Sequence, residues 1–152
     1  MQASLPFRNI LIAGLIGQLT FEAYAWLLSP ILFGPMLEPS NLVIGLTNVM
    51  TGVALPYWAA FILHFVIGSA GFGLFVYLTH LVTKQGLVLS GFIAGLVLWF
   101  VAQGFLAPVM GRDFMMGFGS YTQSSAIAHI GMATLMGALM QRLDRHRATL
   151  AQ

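Results

Sequence analysis

Residues 57–82 read YWAAFILHFVIGSAGFGLFVYLTHLV, and this stretch decides the fold. It contains no Asp, Glu, Lys or Arg. Crossing the hydrocarbon core of a bilayer takes about 20 mostly apolar helical residues, so the stretch predicts a transmembrane helix. Pro56 opens it, at a position where a missing backbone N–H costs nothing. One imidazole, His64, sits inside this run, followed by Gly68, Gly71 and Gly73.

The rest of the chain agrees. Of its 152 residues, 59% are hydrophobic and 7% charged, where a soluble domain carries about 25% charged residues. Six basic and four acidic side chains cannot clothe a water-facing surface. Working outward, three more runs are long enough to span: about 9–28, ending at Ser29-Pro30; about 86–107, closed by Pro108; and about 120–140, the least apolar. The connections 83–86 (TKQG) and 110–119 (MGRDFMMGFG) are short, which places consecutive spans antiparallel. The fold expected is an all-α membrane protein, one integral domain with four transmembrane helices in an up-down bundle. Segment 34–56, GPMLEPSNLVIGLTNVMTGVALP, is too broken by Pro and Gly to span and too apolar for a solvated loop. It predicts an interfacial or re-entrant piece, with a short helix beginning at the cap-like Ser40 or Asn41.

Orientation follows from the basic residues. With a cytoplasmic N-terminus, Arg8, Lys84, Arg142, Arg145 and Arg147 lie inside and only Arg112 lies outside. That asymmetry predicts cytoplasmic N- and C-termini, with 141–152 as a basic cytoplasmic tail. AYA at 23–25 resembles a signal-peptidase site, but Glu22 and Trp26 crowd it and the apolar run continues to Phe33, so an uncleaved first span is expected.

Two hairpins look alike. AGLIG (13–17) and SPILFGPM (29–36) in the first span echo SGFIAG (90–95) and APVMGRDF (107–114) in and after the third. Each is followed by a helix with one histidine, LHFVIG (63–68) and AHIGMA (128–133). A 2+2 hairpin repeat would make His64 and His129 equivalent positions.

Ionisable or strongly polar groups in lipid are costly and face the bundle interior. Glu22, His64, Gln103 and His129, one from each span, all fall about 7–14 Å below the outer edge by helical rise. Such a layer has several uses. Two histidines can be axial ligands of a b-type haem. Two histidines and Glu22 can hold zinc or iron. A Glu–His pair can relay protons or hold a quinone. A hydrogen-bonded knot that fixes helix register is the plain structural reading. No cysteine is present, which excludes disulfides, thiolate catalysis and Cys-ligated metals. No HExxH, P-loop or nucleophile elbow occurs, no basic run interleaves with aromatics, and no catalytic residue, resident metal or nucleic-acid partner is expected.

The segments WAAFILHFVIGSAGFGLF, GFIAGLVLWFVAQGFLAPVMG and AHIGMATLMGALM, within about 57–142, resemble the small bacterial four-helix inner-membrane proteins of the YagU-like group. The shared pattern is a His-Phe second span, a Gly-rich third span ending in Pro, and an early His followed by Gly in the fourth. The resemblance implies a bacterial inner-membrane location and a helical fold, and no reaction. The function expected is therefore a non-enzymatic subunit without a cofactor. It would contact lipid and other transmembrane helices, as a homo-oligomer or in a larger energy-transducing (respiratory or photosynthetic) complex. The alternatives are a haem b electron carrier using His64 and His129, and a proton-handling or transport protein centred on Glu22.

Overall fold

A computed structural model describes residues 5–150, and among them there are helices and turns but no strand. Helix α1 runs Phe7–Phe33, α2 Ser40–Thr51, α3 Tyr57–Thr83, α4 Leu87–Val109 and α5 Ser120–Leu150. Helices α1, α3 and α4 are long and apolar enough to cross a membrane, which marks a multi-pass membrane protein. Helix α5 continues without a break from the expected fourth span into the basic tail as far as Leu150. Residues 151 and 152 of that tail lie outside the described residues.

The long helices form a closed ring. α1 packs on α3 and α5, α4 packs on α5, and α3 meets α4 where TKQG joins them. Toward the other end, α3 and α4 separate, and α2 packs beside α3 and reaches α4. A methyl group on Gly45 of α2 would press on the Met110 sulfur, just past α4. We call this the α2 end of the bundle.

Glycine brings the helices together, and the same device occurs in both hairpins. A Cβ on Gly14 of α1 would overlap the Ser69 carbonyl of α3. A Cβ on Gly91 of α4 would overlap the Ala133 carbonyl of α5. Gly95 and Gly137 seat α4 and α5 together in the same way, against the backbone at Ile130 and Leu87. Without a hydrophobic driving force between helices in lipid, this close backbone approach and the dispersion contacts it permits are the main source of association.

The spans do not stop where their prolines suggest. The first was expected to end at about residue 28, before Ser29-Pro30, and the third at about 107. Instead α1 continues through Pro30 to Phe33, and α4 through Pro108 to Val109. A proline ring clashes with the carbonyl four residues earlier and offers no N–H. In both helices a π-helical turn precedes the proline, Tyr24–Leu28 in α1 and Val101–Leu106 in α4, and widens the helix there. In α1 the consequence is traceable. The Ala25 carbonyl faces Pro30, which has no donor in the five-residue pattern. It accepts instead from the Leu37 N–H at 3.3 Å, which folds the chain back after α1.

Segment 34–56 contains the expected short helix, starting at Ser40. Its capping differs from expectation. The Ser40 hydroxyl is buried and makes no cap bond, and Asn41 Nδ2 donates to Glu38 Oε2 at 2.7 Å instead.

Candidate functional site

The residues of the expected polar layer are drawn into two clusters on either side of one phenyl ring. In the first, Gln18 and Glu22 lie one turn apart on α1, and His64 faces them from α3. Gln18 Nε2 donates to Glu22 Oε1 at 2.8 Å, and His64 Nδ1 lies 3.4 Å from both Gln18 Nε2 and Glu22 Oε1. Gly68, one turn after His64, makes room: a Cβ there would overlap the Gln18 amide. In the second cluster, His129 Nδ1 lies 2.8 Å from the Ser125 carbonyl of its own helix and 3.3 Å from Ser125 Oγ. Gln103 Nε2 of α4 donates to the same Oγ at 3.3 Å. Phe21 joins the clusters, its centroid 5.9 Å from the His64 ring and 5.2 Å, edge-on, from the His129 ring.

All of these residues but Glu22, which is half-buried, are buried. His64, Gln103 and His129 are each 6–7% exposed, and Gln18 is fully enclosed. Three acceptor atoms in the clusters have no partner among the described residues: Gln18 Oε1, Glu22 Oε2 and Gln103 Oε1. A buried unpaired polar atom costs about 1–3 kcal/mol, so three in one region mark a place built for something besides stability.

The hydrogen bonds fix one tautomer. A carbonyl oxygen only accepts, so His129 Nδ1 must carry the proton it gives to Ser125. In the neutral ring, Nε2 then holds a lone pair. Neither histidine's Nε2 makes a hydrogen bond among the described residues. Both rings line a cavity of about 260 Å³.

The cavity occupies the place where α3 and α4 part. His64 and Ile67 of α3, Ala102 and Gln103 of α4, and Ser125 and His129 of α5 form its walls. Leu42, Val43 and Leu46 of α2 close its side, and Arg112 and Met116 stand at its rim. Each of the three apolar helices carries a π-helical turn close to these residues. One follows Glu22 on α1, one (Ile67–Phe72) follows His64 on α3, and one contains Gln103 on α4. Such turns are rare and occur mostly at functional sites. The rim is strained as well. Met115, Met116, Gly117 and Phe118 form a single left-handed turn, with φ of 52, 51, 65 and 56°. Left-handed geometry costs about 1–2 kcal/mol per non-glycine residue. Met115 anchors the turn in the core, and Met116 reaches the cavity.

Sequence reasoning placed Glu22, His64, Gln103 and His129 together, and they converge as two clusters. It missed Gln18, Ser125 and Phe21. Among the described residues no group of three or more His, Cys, Asp or Glu side chains is disposed to hold a metal ion. Comparison with protein families, with characterised proteins and with solved structures finds no match to this chain.

Proposed function

We propose that this chain is a four-span inner-membrane protein with both termini cytoplasmic, and that it binds a small lipid-soluble molecule in the cavity beside His64 and His129. It works as a binding protein and not as an enzyme. The observation that carries this reading is the coincidence of an apolar cavity with two imidazoles on its lining whose Nε2 atoms have no partner among the described residues, and with π-helical turns in the helices around it. Helix α5 serves as the fourth span. Residues 120–140 carry no formal charge and extend about 31 Å at helical rise. Their polar members Thr122, Ser124, Ser125 and His129 are buried against the other helices, while Ile127 and Gly131 face outward. Ser120 and Gln123, the exposed polar residues, lie in its first turn; a span whose deeper polar residues point inward has low overall hydropathy and still offers lipid an acceptable face. The repeated glycine contacts at Gly14 and Gly91 and the paired π-turn–proline ends support the 2+2 hairpin repeat.

A haem between the histidines is the weaker alternative. Phe21 packs against both rings, and four linked pyrroles exceed a cavity of this size. Membership of a larger assembly is favoured by one observation. Gly131 on the outward face of α5 would meet nothing within 4 Å if it carried a Cβ, whereas the glycines between α4 and α5 are occupied.

The test uses purified protein in lipid nanodiscs. Toluene, a small apolar probe, should raise the thermal midpoint saturably by mass action. Ala102→Phe and Val43→Phe, which fill the cavity from two sides, should abolish the rise. A shift that never saturates, or that persists in both variants, refutes the site. A visible spectrum with haem bands after reduction would replace this reading with the haem one.

A further inference from the structure

We infer that the molecule held in the cavity is a single-ring phenol, its apolar ring against the cavity walls and its hydroxyl donating to Nε2 of His129. This rests on the cavity reading above and names the chemistry of its occupant.

Size comes first. A dry cavity of about 150 Å³ accepts benzene, and drug-sized ligands occupy about 300–1,000 Å³. The cavity here, about 260 Å³, holds one substituted ring. Its side walls, from Leu42, Val43, Leu63, Ile67, Leu98 and Leu106, are hydrocarbon and suit a ring face and its substituents.

The polar wall sets the functional group. The Ser125 carbonyl holds the His129 proton on Nδ1, so Nε2 accepts. Gln103 gives one of its two amide N–H groups to Ser125 Oγ, which leaves its second N–H and the Ser125 hydroxyl hydrogen as donors beside that acceptor. The group that meets this wall best both donates, to Nε2, and accepts, as a hydroxyl does. A ketone, quinone or ether can accept from those donors but leaves Nε2 unpaired, and a pure hydrocarbon leaves every one of these groups unpaired. A site with buried polar groups rejects an analogue lacking the matching hydroxyl far more strongly than an apolar pocket rejects a missing methylene. The Arg112 guanidinium and the Tyr121 hydroxyl also line the cavity, near the rim turn and the start of α5. The hydroxyl points toward His129, and the substituted end of the ring toward the rim.

The experiment compares three probes of similar size on the full chain in nanodiscs: p-cresol, its methyl ether 4-methylanisole, and toluene. Affinity is read by isothermal titration with empty nanodiscs subtracted. p-Cresol should bind at least about tenfold more tightly than either of the others, one hydrogen bond's worth of discrimination at 1.4 kcal/mol per decade. In His129→Leu the three affinities should fall within about twofold of one another. Equal binding of all three by the wild type overturns the phenol assignment and leaves the cavity reading standing. Failure of all three to bind, toluene included, overturns both. Should His129→Leu not fold, ¹⁵N-histidine NMR of the wild type serves. The unprotonated Nε2 resonance of His129 should move on adding p-cresol and stay still with 4-methylanisole, and the reverse or no movement overturns the assignment.

Discussion

The packing of α5 against α4 can be tested by adding single methyl groups at three glycines. At Gly95 a Cβ would stand 2.6 Å from Ile130 Cα and 2.8 Å from the His129 carbonyl oxygen. Both are backbone atoms of a facing helix and cannot rotate away. At Gly17 the clash is with the Met136 side chain, its Cγ 2.5 Å and its Cε 2.7 Å away, and a flexible side chain, unlike a backbone, can change rotamer. At Gly131 nothing lies within 4 Å. Replacing Gly by Ala gains about 1 kcal/mol of helix propensity at every site, while overpacking a tight contact costs about 1–3 kcal/mol. Gly131→Ala should therefore be stabilising by up to about 1 kcal/mol, and Gly17→Ala close to neutral. At Gly95 the fixed backbone puts the overpacking cost in the upper part of that range, about 2–3 kcal/mol, so Gly95→Ala should be destabilising by about 1–2 kcal/mol net. The span between the extremes, about 2–3 kcal/mol, is about a 30- to 150-fold change in the unfolding equilibrium, well within reach of reversible unfolding in mixed detergent micelles. Equal stabilities for Gly95→Ala and Gly131→Ala would refute the claim that these two helices meet backbone to backbone. Because Gly95 abuts the His129 carbonyl, its variant should also weaken toluene binding, an effect absent from Gly131→Ala.

Three further outcomes follow from the same contacts. Ser29 Oγ donates to the Pro35 carbonyl at 2.6 Å, so Ser124 must donate to Ser29 (2.7 Å) and Tyr24 to Ser124 (3.0 Å). Ser124→Ala breaks that relay in the middle and should cost about 1–3 kcal/mol in the same unfolding assay, where Gln123→Ala should cost little. Glu22→Ala leaves the Gln18 amide donor buried without its partner and should be destabilising by about 1–3 kcal/mol, while Glu22→Gln, which keeps an acceptor oxygen, should lose less; the reverse order would contradict the Gln18–Glu22 bond. Because the chain lacks cysteine, single-Cys variants report topology without background. A membrane-impermeant maleimide applied to intact cells should label Arg112→Cys but not Lys84→Cys or Arg147→Cys; labelling of Arg147→Cys would refute α5 as a fourth span.

Much of the architecture is legible in the sequence because lipid imposes a crude rule. Uncharged runs such as 57–82 must be helical to satisfy their own backbone, and polar residues within them must face inward. That rule located Glu22, His64, Gln103 and His129. It says nothing about azimuth, so it could not separate them into a Gln18–Glu22–His64 cluster and a Gln103–Ser125–His129 cluster. Gln18 was available to the same reasoning, as an amide in the run LIAGLIGQLTF, one turn before Glu22. Ser125 was hidden because a serine satisfies itself on its own helix in most contexts. The π-helical turns left a faint trace, the prolines at 30 and 108. Proline was read as a stop signal, whereas here a widened turn absorbs it and the helix runs on. Ser40 looked like a cap from its position alone, but its hydroxyl is turned into the core and Asn41 bonds to Glu38 instead. The left-handed turn at 115–118 had no signal beyond Gly117, because tertiary anchoring by Met115 and Met116 holds residues that would not choose that conformation locally.

The central claim is that this membrane protein keeps a small molecule in the cavity beside His64 and His129. Native mass spectrometry of the protein released from nanodiscs in its expression-host lipids addresses it most directly. The account predicts a wild-type mass carrying one small adduct, absent from Ala102→Phe and Val43→Phe. A bare mass for the wild type after supplying p-cresol, or the same adduct on the filled-cavity variants, would contradict it.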